Sequence, residues 1–212
     1  MAKPTGARCN LRCDYCFFLE KADLYPGSDF RMSDEVMEAY VRQTVDAQQV
    51  PHVTLAWQGG EPTLMGLDFF RRSIEAEPEA LRPGMSVERT MQTNGVLLDE
   101  EWMAFLREHE YLVGLSLDGP RDLHDVYRHD GAGRSVFDDV VAAARLMQEH
   151  GVEFNVLCTV NAANSERPLD VYRVFRDELG ARFIQFIPIV EIDEPPSDGK
   201  PGTVTDRSVR PE

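Results

Sequence analysis

The chain has 212 residues, 42% hydrophobic and 28% charged, which is ordinary for a globular protein and enough for one large domain or two small ones. Its 37 acidic against 22 basic side chains give a formal charge of −15, which excludes a protein that grips nucleic-acid phosphates through a basic surface. No apolar run reaches the roughly 20 residues of a membrane-spanning helix, and "MAKPTGARCN" lacks the apolar core of a secretory signal, so a cytoplasmic protein with neither nucleic acid nor membrane as partner is expected.

In chain order the first informative stretch is "RCNLRCDYCFF", residues 8–18, with three of the four cysteines spaced Cys9-x3-Cys13-x2-Cys16. In a reducing compartment such clustering points to metal ligation or catalysis rather than disulfides. A structural zinc site calls for a fourth Cys or His nearby, and the nearest downstream His is His52, in another segment. A ferredoxin-type cluster uses four thiolates at other spacings, and a redox pair made of Cys13 and Cys16 leaves Cys9 surplus. Three thiolates on an iron–sulfur cubane would leave one iron open. On spacing alone an open iron–sulfur cluster, a zinc ion and inert thiols all stand.

A helix is expected next. Ser33 stands as N-cap before acidic Asp34 and Glu35, and Val36, Met37, Tyr40, Val41 and Val45 recur at helical spacing. Short β-branched or aromatic runs bounded by turn residues read as strands at 53–58, 87–93, 112–118, 152–160 and 182–190. Between them Asp99 opens the helical pattern "EEWMAFLREHE". Ser135 and Asp138 form an S-x-x-D box before "VVAAARLMQEH", which stops at Gly151, and a further helix runs from Pro168 to Gly180. Cys158, alone in an apolar run, reads as a buried small hydrophobe.

Strands alternating with helices of this length predict repeated βαβ units and an α/β fold with a parallel sheet. With a short strand at "AKPTG" counted as the sixth, the count suits an open sheet or a partial (β/α)6 barrel. Function then belongs just after the strands: at the cysteine loop, "WQGGEPT", "QTNG" and "SLDGP", with Arg128 ten residues beyond Asp118. From Glu191 to Glu212 the chain is rich in Pro, Gly, Asp and Ser without apolar period, and reads as a linker or frayed end.

The cysteine spacing followed by Phe17 resembles the signature of the radical S-adenosylmethionine superfamily, and Gly59, Gly60 and Glu61 match its GGE motif. Longer stretches, "CNLRCDYCFFLEK", "WQGGEPTLMGLDFF", "QTNGVLLDEEW", "VGLSLDGPRDLHDVYR", "FNVLCTVNAAN" and "FIQFI", resemble anaerobic sulfatase-maturating enzymes from about Lys3 to Val190. The resemblance implies a TIM-like partial barrel of the radical SAM type over residues 1–190. It implies that Cys9, Cys13 and Cys16 hold a [4Fe–4S] cluster whose fourth iron takes S-adenosylmethionine. Reductive cleavage then yields a 5′-deoxyadenosyl radical, and a Ser or Cys of a sulfatase is oxidised to Cα-formylglycine.

By position, Tyr15, Gly59, Gly60, Glu61, Ser116, Arg128 and Val190 match cofactor contacts, Val190 through its backbone to adenine. An arginine is apt there because guanidinium grips a carboxylate at two points. Phe18 and Gln58 fall where the family lines its substrate pocket. Gln92 and Asn94 are placed to hydrogen-bond cofactor or substrate, with a turn at Asn94-Gly95 as the alternative. The implied partners are a sulfatase polypeptide and an electron donor such as flavodoxin or ferredoxin. The family's general base and two auxiliary clusters belong to a C-terminal SPASM domain to which 191–212 would lead, so no catalytic base is expected within this chain. Another peptide-modifying member of the superfamily, forming thioethers or peptide crosslinks, and a non-catalytic iron–sulfur module are the competing readings.

Overall fold

The computed structural model describes residues 1–195 and 202–209. Five parallel strands, β1 His52–Trp57, β2 Ser86–Thr93, β3 Tyr111–Ser116, β4 Glu153–Val160 and β5 Ile184–Pro188, lie in sequence order across one sheet. The helices are α1 Asp34–Asp46, α2 Leu67–Glu75, α3 Glu77–Ala80, α4 Glu100–Glu108, α5 Arg121–His124, α6 Phe137–His150 and α7 Pro168–Arg173, the last prolonged by a π-helical turn over Val174–Glu178.

Alternation along the strands shows which face the helices cover. In β3, Tyr111, Val113 and Leu115 are buried, whereas Leu112, Gly114 and Ser116 are only half-buried. Val53, Leu55 and Trp57 repeat the pattern in β1. A parallel sheet covered on both faces reads as continuous apolar runs; here one face packs on helices and the other is the concave lining of a half-barrel. Edge-to-face and tilted aromatic contacts run from Tyr40 through Trp57, Phe70, Trp102 and Phe105 to Tyr111, with ring centroids 5.2 to 6.3 Å apart. They lock α1, α2 and α4 onto β1 and β3, whose C-terminal ends border the site.

Local signals explain the helix ends. Ser33 Oγ accepts from Val36 N at 3.3 Å and Asp99 Oδ1 from Trp102 N at 3.0 Å. Gly151, at φ +66, closes α6 in the left-handed region. The expected Ser135–Asp138 box is not formed. The helix starts at Phe137, the Ser135 hydroxyl donates to Asp125 Oδ1 at 2.8 Å, and Asp138 pairs with Arg121. Those partners from the preceding segment out-compete the cap.

Two further expectations need correction. The strand at "AKPTG" is a single bridge: Ala2 N donates to Ala56 O at 2.8 Å and Gln58 N to Ala2 O at 2.9 Å, after which Pro4 has no N–H to continue the ladder. The tail is no frayed end over its described residues. Ile192–Glu194 (β6) and Thr203–Val204 (β7) pair antiparallel, Glu191 Oε2 accepts from Arg207 Nε and Thr205 Oγ1, both at 3.0 Å, and Ala162 N donates to Arg207 O at 2.9 Å. These ties are polar, so an apolar period could not announce them. The remainder of the linker reading, residues 196–201 and 210–212, lies outside the described residues. Among the described residues no helix is long and apolar enough to cross a membrane.

Candidate metal centre

The cysteine loop lies across the C-terminal ends of the strands and is held from three directions. From the turn after β1, Gly60 N donates to Gly6 O at 3.0 Å and Glu61 N to Arg8 O at 2.9 Å. From the segment after α5, Arg12 N donates to His129 O and Asp14 N to Tyr127 O, both at 2.9 Å, and Leu11 bridges Asp130. From the turn after β2, Asn94 Nδ2 donates to Asn10 Oδ1 at 2.8 Å. The glycine pair has a tighter reason than admitting a cofactor. A Cβ on Gly60 would lie 1.9 Å from Arg8 O, and Gly59, at φ +94, would set one 2.7 Å from Lys3 Cβ, so the close approach is to the chain's own loop.

Cys9, Cys13 and Cys16 line one pocket of about 150 Å³ together with Phe18, Gln58, Gly59, Gly60, Glu61, Gln92, Asn94, Ser116 and Arg128. Among the described residues no three His, Cys, Asp or Glu side chains converge on the position of a single ion; the three thiols stand instead around the pocket's walls. Two predicted site residues fall outside it. Tyr15 packs behind, its hydroxyl donating to Asp118 Oδ2, and Val190, two residues past the end of β5, is 66% exposed.

Arg128 is buried and clamped: its Nε donates to Asp118 Oδ2 at 2.8 Å and its Nη2 to Asp118 Oδ1 at 3.2 Å. Thr159 N also donates to Asp118 Oδ1, at 2.8 Å. Burial opposes the Arg128 charge, but Asp118, Tyr15 and Cys13 more than offset it and hold the guanidinium well above its ordinary range. Burial pushes the Cys13 thiol up, with Arg128 pulling the other way, and pushes Cys9 up to about 12.

Three residues expected at cofactor or substrate also hold the protein's own turns together. Glu61, 1% exposed, accepts from Thr63 N at 3.0 Å, Thr63 Oγ1 at 2.7 Å, Thr93 Oγ1 at 2.8 Å and Asn94 N at 2.8 Å, which ties the β1 turn to the β2 turn. Burial raises its carboxyl while those donors pull it down. Asn94 commits Oδ1 to its own turn, accepting from Val96 N at 3.0 Å, and Nδ2 to the cysteine loop. Gln92 Nε2 donates to Ser116 Oγ at 2.8 Å; it can fold across β3 because a Cβ on Gly114 would lie 2.2 Å from its Oε1.

Sequence reasoning missed His124. It is fully buried, and its Nδ1 accepts from Asp118 N at 3.3 Å, so it braces the turn that presents Asp118. The signal was present in "SLDGPRDLHDVYR", where Asp118, His124 and Arg128 follow one another after a strand end. Burial, then Arg128, lowers the His124 pKa from 6.5 to about 3. The unfolded chain takes up that proton as pH falls through 6.5 and the folded chain holds off to about 3, so stability is lost on acidification across this window. By about pH 5 the loss is roughly 2 kcal/mol. His124→Asn keeps an acceptor and cannot ionise, so the gap between its urea midpoints at about pH 7 and pH 5 should shrink. An unchanged gap would assign the acid sensitivity elsewhere.

Residues 4–173 match the family described as the Radical SAM superfamily. The chain is 41% identical, over its whole length, to a serine-type anaerobic sulfatase-maturating enzyme of Bacteroides thetaiotaomicron, of which it covers 53%. It is 38% identical, over 88% of its length, to a cysteine-type anaerobic sulfatase-maturating enzyme of Clostridium perfringens, of which it covers 50%. The chain thus spans about half the length of these curated relatives. A solved structure of native anSMEcpe with bound AdoMet and Cp18Cys peptide superposes with a TM-score of 0.85 at 36% identity, over 99% of this chain and 54% of that one.

Proposed function

The chain belongs to the radical SAM superfamily, and from that membership we propose that it oxidises a serine or cysteine side chain of a sulfatase polypeptide to Cα-formylglycine, using a [4Fe–4S] cluster and S-adenosylmethionine. The observation that carries the reading is one pocket in which three thiols, with no fourth thiol or imidazole, face Gly60, Ser116 and Arg128. That donor set fits the group, since three thiolates satisfy three irons and leave the fourth for a chelating ligand. When bound, cluster and cofactor supply one-electron cleavage of a carbon–sulfur bond and so a radical able to abstract hydrogen from carbon.

The chain's residues then do the following. Cys9, Cys13 and Cys16 ligate, and Arg128 beside Cys13 favours its anionic form. Asp118 occupies two donors of Arg128 and aims the rest of the guanidinium at the pocket, where a cofactor carboxylate would meet it. Ser116, accepting from Gln92, keeps its own hydroxyl hydrogen to donate. Phe18 and Gln58, which also line the pocket, would contact the polypeptide. Residues 1–190 are the core of this proposal; its general base lies outside them, in a SPASM-type domain following the tail, and a flavodoxin or ferredoxin delivers the electron.

The test is anaerobic reconstitution of the full gene product with iron and sulfide, then reduction with S-adenosylmethionine and a sulfatase peptide present. Formation of 5′-deoxyadenosine and an aldehyde-bearing peptide is expected, and Cys13→Ala should lose one cluster's share of iron and absorbance, keeping that of the auxiliary clusters, together with both products. 5′-Deoxyadenosine with a crosslinked peptide and no aldehyde would replace sulfatase maturation by another peptide modification. Iron content and cluster absorbance in Cys13→Ala equal to those of the unaltered protein would overturn the ligand assignment.

A further inference from the structure

One side chain between the cysteines has no place in the pocket and yet is not idle. Tyr15 stands between Cys13 and Cys16 but outside the pocket's walls, and its hydroxyl donates to Asp118 Oδ2. Its ring lies against the Arg128 guanidinium, with Cζ 5.5 Å from the centroid, and meets Tyr127 edge-on at 5.9 Å. A residue of the cysteine loop thus touches both members of the buried Asp118–Arg128 pair.

The Asp118 carboxylate is the joint on which this arrangement turns. Its last torsion is soft, because a terminal bond to a trigonal carbon has no sharp staggered wells. Arg128 Nε and Nη2 grip its two oxygens side-on at 2.8 and 3.2 Å, but such a pair can rock as one body. What pins it is one further donor on each oxygen: Thr159 N on Oδ1 at 2.8 Å, and the Tyr15 hydroxyl on Oδ2. The first is main chain in β4; the second comes from the loop that carries the three thiols. Nη2 also reaches Thr159 Oγ1 at 3.4 Å, so the N–H groups left for Cys13 and the pocket are those on Nη1. The tilt of the carboxylate sets their direction.

We propose that Tyr15 is a positioning residue: its hydroxyl fixes the tilt of the Asp118 carboxylate and so the aim of Arg128 at the carboxylate of a cofactor in the pocket. The inference rests on the cofactor reading above and adds to it a residue whose side chain lies outside the pocket. The place of Tyr15 in the sequence gives the link its use. It is two residues from Cys13 and one from Cys16, so a single side chain ties the seat of the thiols to the aim of the arginine. Phenylalanine would keep the ring contacts with Arg128 and Tyr127; the hydroxyl alone serves Asp118.

The test compares Tyr15→Phe with the unaltered full gene product, both loaded with iron and sulfide. Iron per chain and the low-temperature spectrum of the reduced clusters without cofactor are expected to be the same in both. S-adenosylmethionine should bind Tyr15→Phe about fivefold more weakly, read by titrating that spectrum and by equilibrium dialysis. Decarboxylated S-adenosylmethionine, which offers a guanidinium nothing to grip, should bind the two proteins alike. In an Arg128→Lys background, where a point charge replaces the planar fork, Tyr15→Phe should weaken S-adenosylmethionine no further. The decarboxylated ligand needs no change at Arg128 and stays decisive if Arg128→Lys loads poorly. A residue that only braced the loop would lower the urea midpoint and leave S-adenosylmethionine affinity unchanged, and that result overturns the inference alone. So do a fivefold loss that persists in Arg128→Lys or extends to the decarboxylated ligand, and a fall in iron content in Tyr15→Phe. Failure of the loaded, unaltered protein to bind S-adenosylmethionine would sink the cofactor reading and this inference together.

Discussion

Gly60→Ala is expected to destroy the seating of the cysteine loop and, with it, iron incorporation. The added Cβ would sit 1.9 Å from Arg8 O and 2.6 Å from Arg8 C, so what must yield is backbone rather than the end of a flexible side chain. Moving it apart breaks the Gly60–Gly6 and Glu61–Arg8 hydrogen bonds that join the loop to the sheet. Overpacking of this kind costs about 3 kcal/mol, and the loss of position should exceed the loss of stability. Iron and sulfide per chain after reconstitution are expected to fall at least about tenfold, a separation of roughly 1.4 kcal/mol in loading. Gly66→Ala provides the contrast: at φ +81 and ψ 159 it takes backbone strain of about 1–3 kcal/mol, but with nothing within 4 Å of the new Cβ it leaves the cysteine loop's anchors in place and should load normally. Full iron content in Gly60→Ala would show that the loop is held by other means.

The second large effect is expected at Asp118. Its side chain, 1% exposed, answers Arg128, Thr159 N and the Tyr15 hydroxyl, and its carbonyl accepts from Asn164 Nδ2 at 3.0 Å. Asp118→Ala strands a buried guanidinium, and breaking a buried pair from one side costs about 3–5 kcal/mol. The surface Arg134–Asp130 pair, screened by solvent, is worth far less. Because most of the Asp118→Ala penalty is an uncompensated charge, the double variant Asp118→Ala/Arg128→Met should recover a substantial part of it. Urea unfolding of the four proteins in the cycle measures this. Strictly additive losses would mean that Asp118 acts on its turn rather than on Arg128.

Much of the fold was legible because its signals are local. Val53, Leu55 and Trp57, or Tyr111, Val113 and Leu115, alternate visibly, and Ser33, Asp99 and Gly151 cap within a few residues of themselves. What escaped depends on partners far along the chain. Ser135 fails as a cap because Asp125 takes its hydroxyl, and the tail is held by Glu191 bonds to Thr205 and Arg207 that leave no pattern in composition. The site shows the same divide. Cysteine spacing and the two glycines mark its place, but the sequence cannot tell that Glu61 ties Thr93 and Asn94 together. Nor can it tell that Gln92 leans across Gly114 to Ser116. A motif names the residue types a site needs; only the folded chain says which of them face inward.

The three-sided anchoring of the cysteine loop also sets an order of events during synthesis. The strands follow sequence order, so the sheet can grow as the chain emerges, each strand adding to the one before it. The loop cannot settle on this schedule, because its far side rests on Tyr127 and His129. At ribosomal rates the cysteines therefore wait on the order of ten seconds for their cradle. During that interval their thiols lack the burial that later pushes Cys9 up to about 12, and they ionise and oxidise more readily than in the finished protein. The hazardous moment for this centre is thus its birth, and iron must be delivered to a chain already built past Arg128.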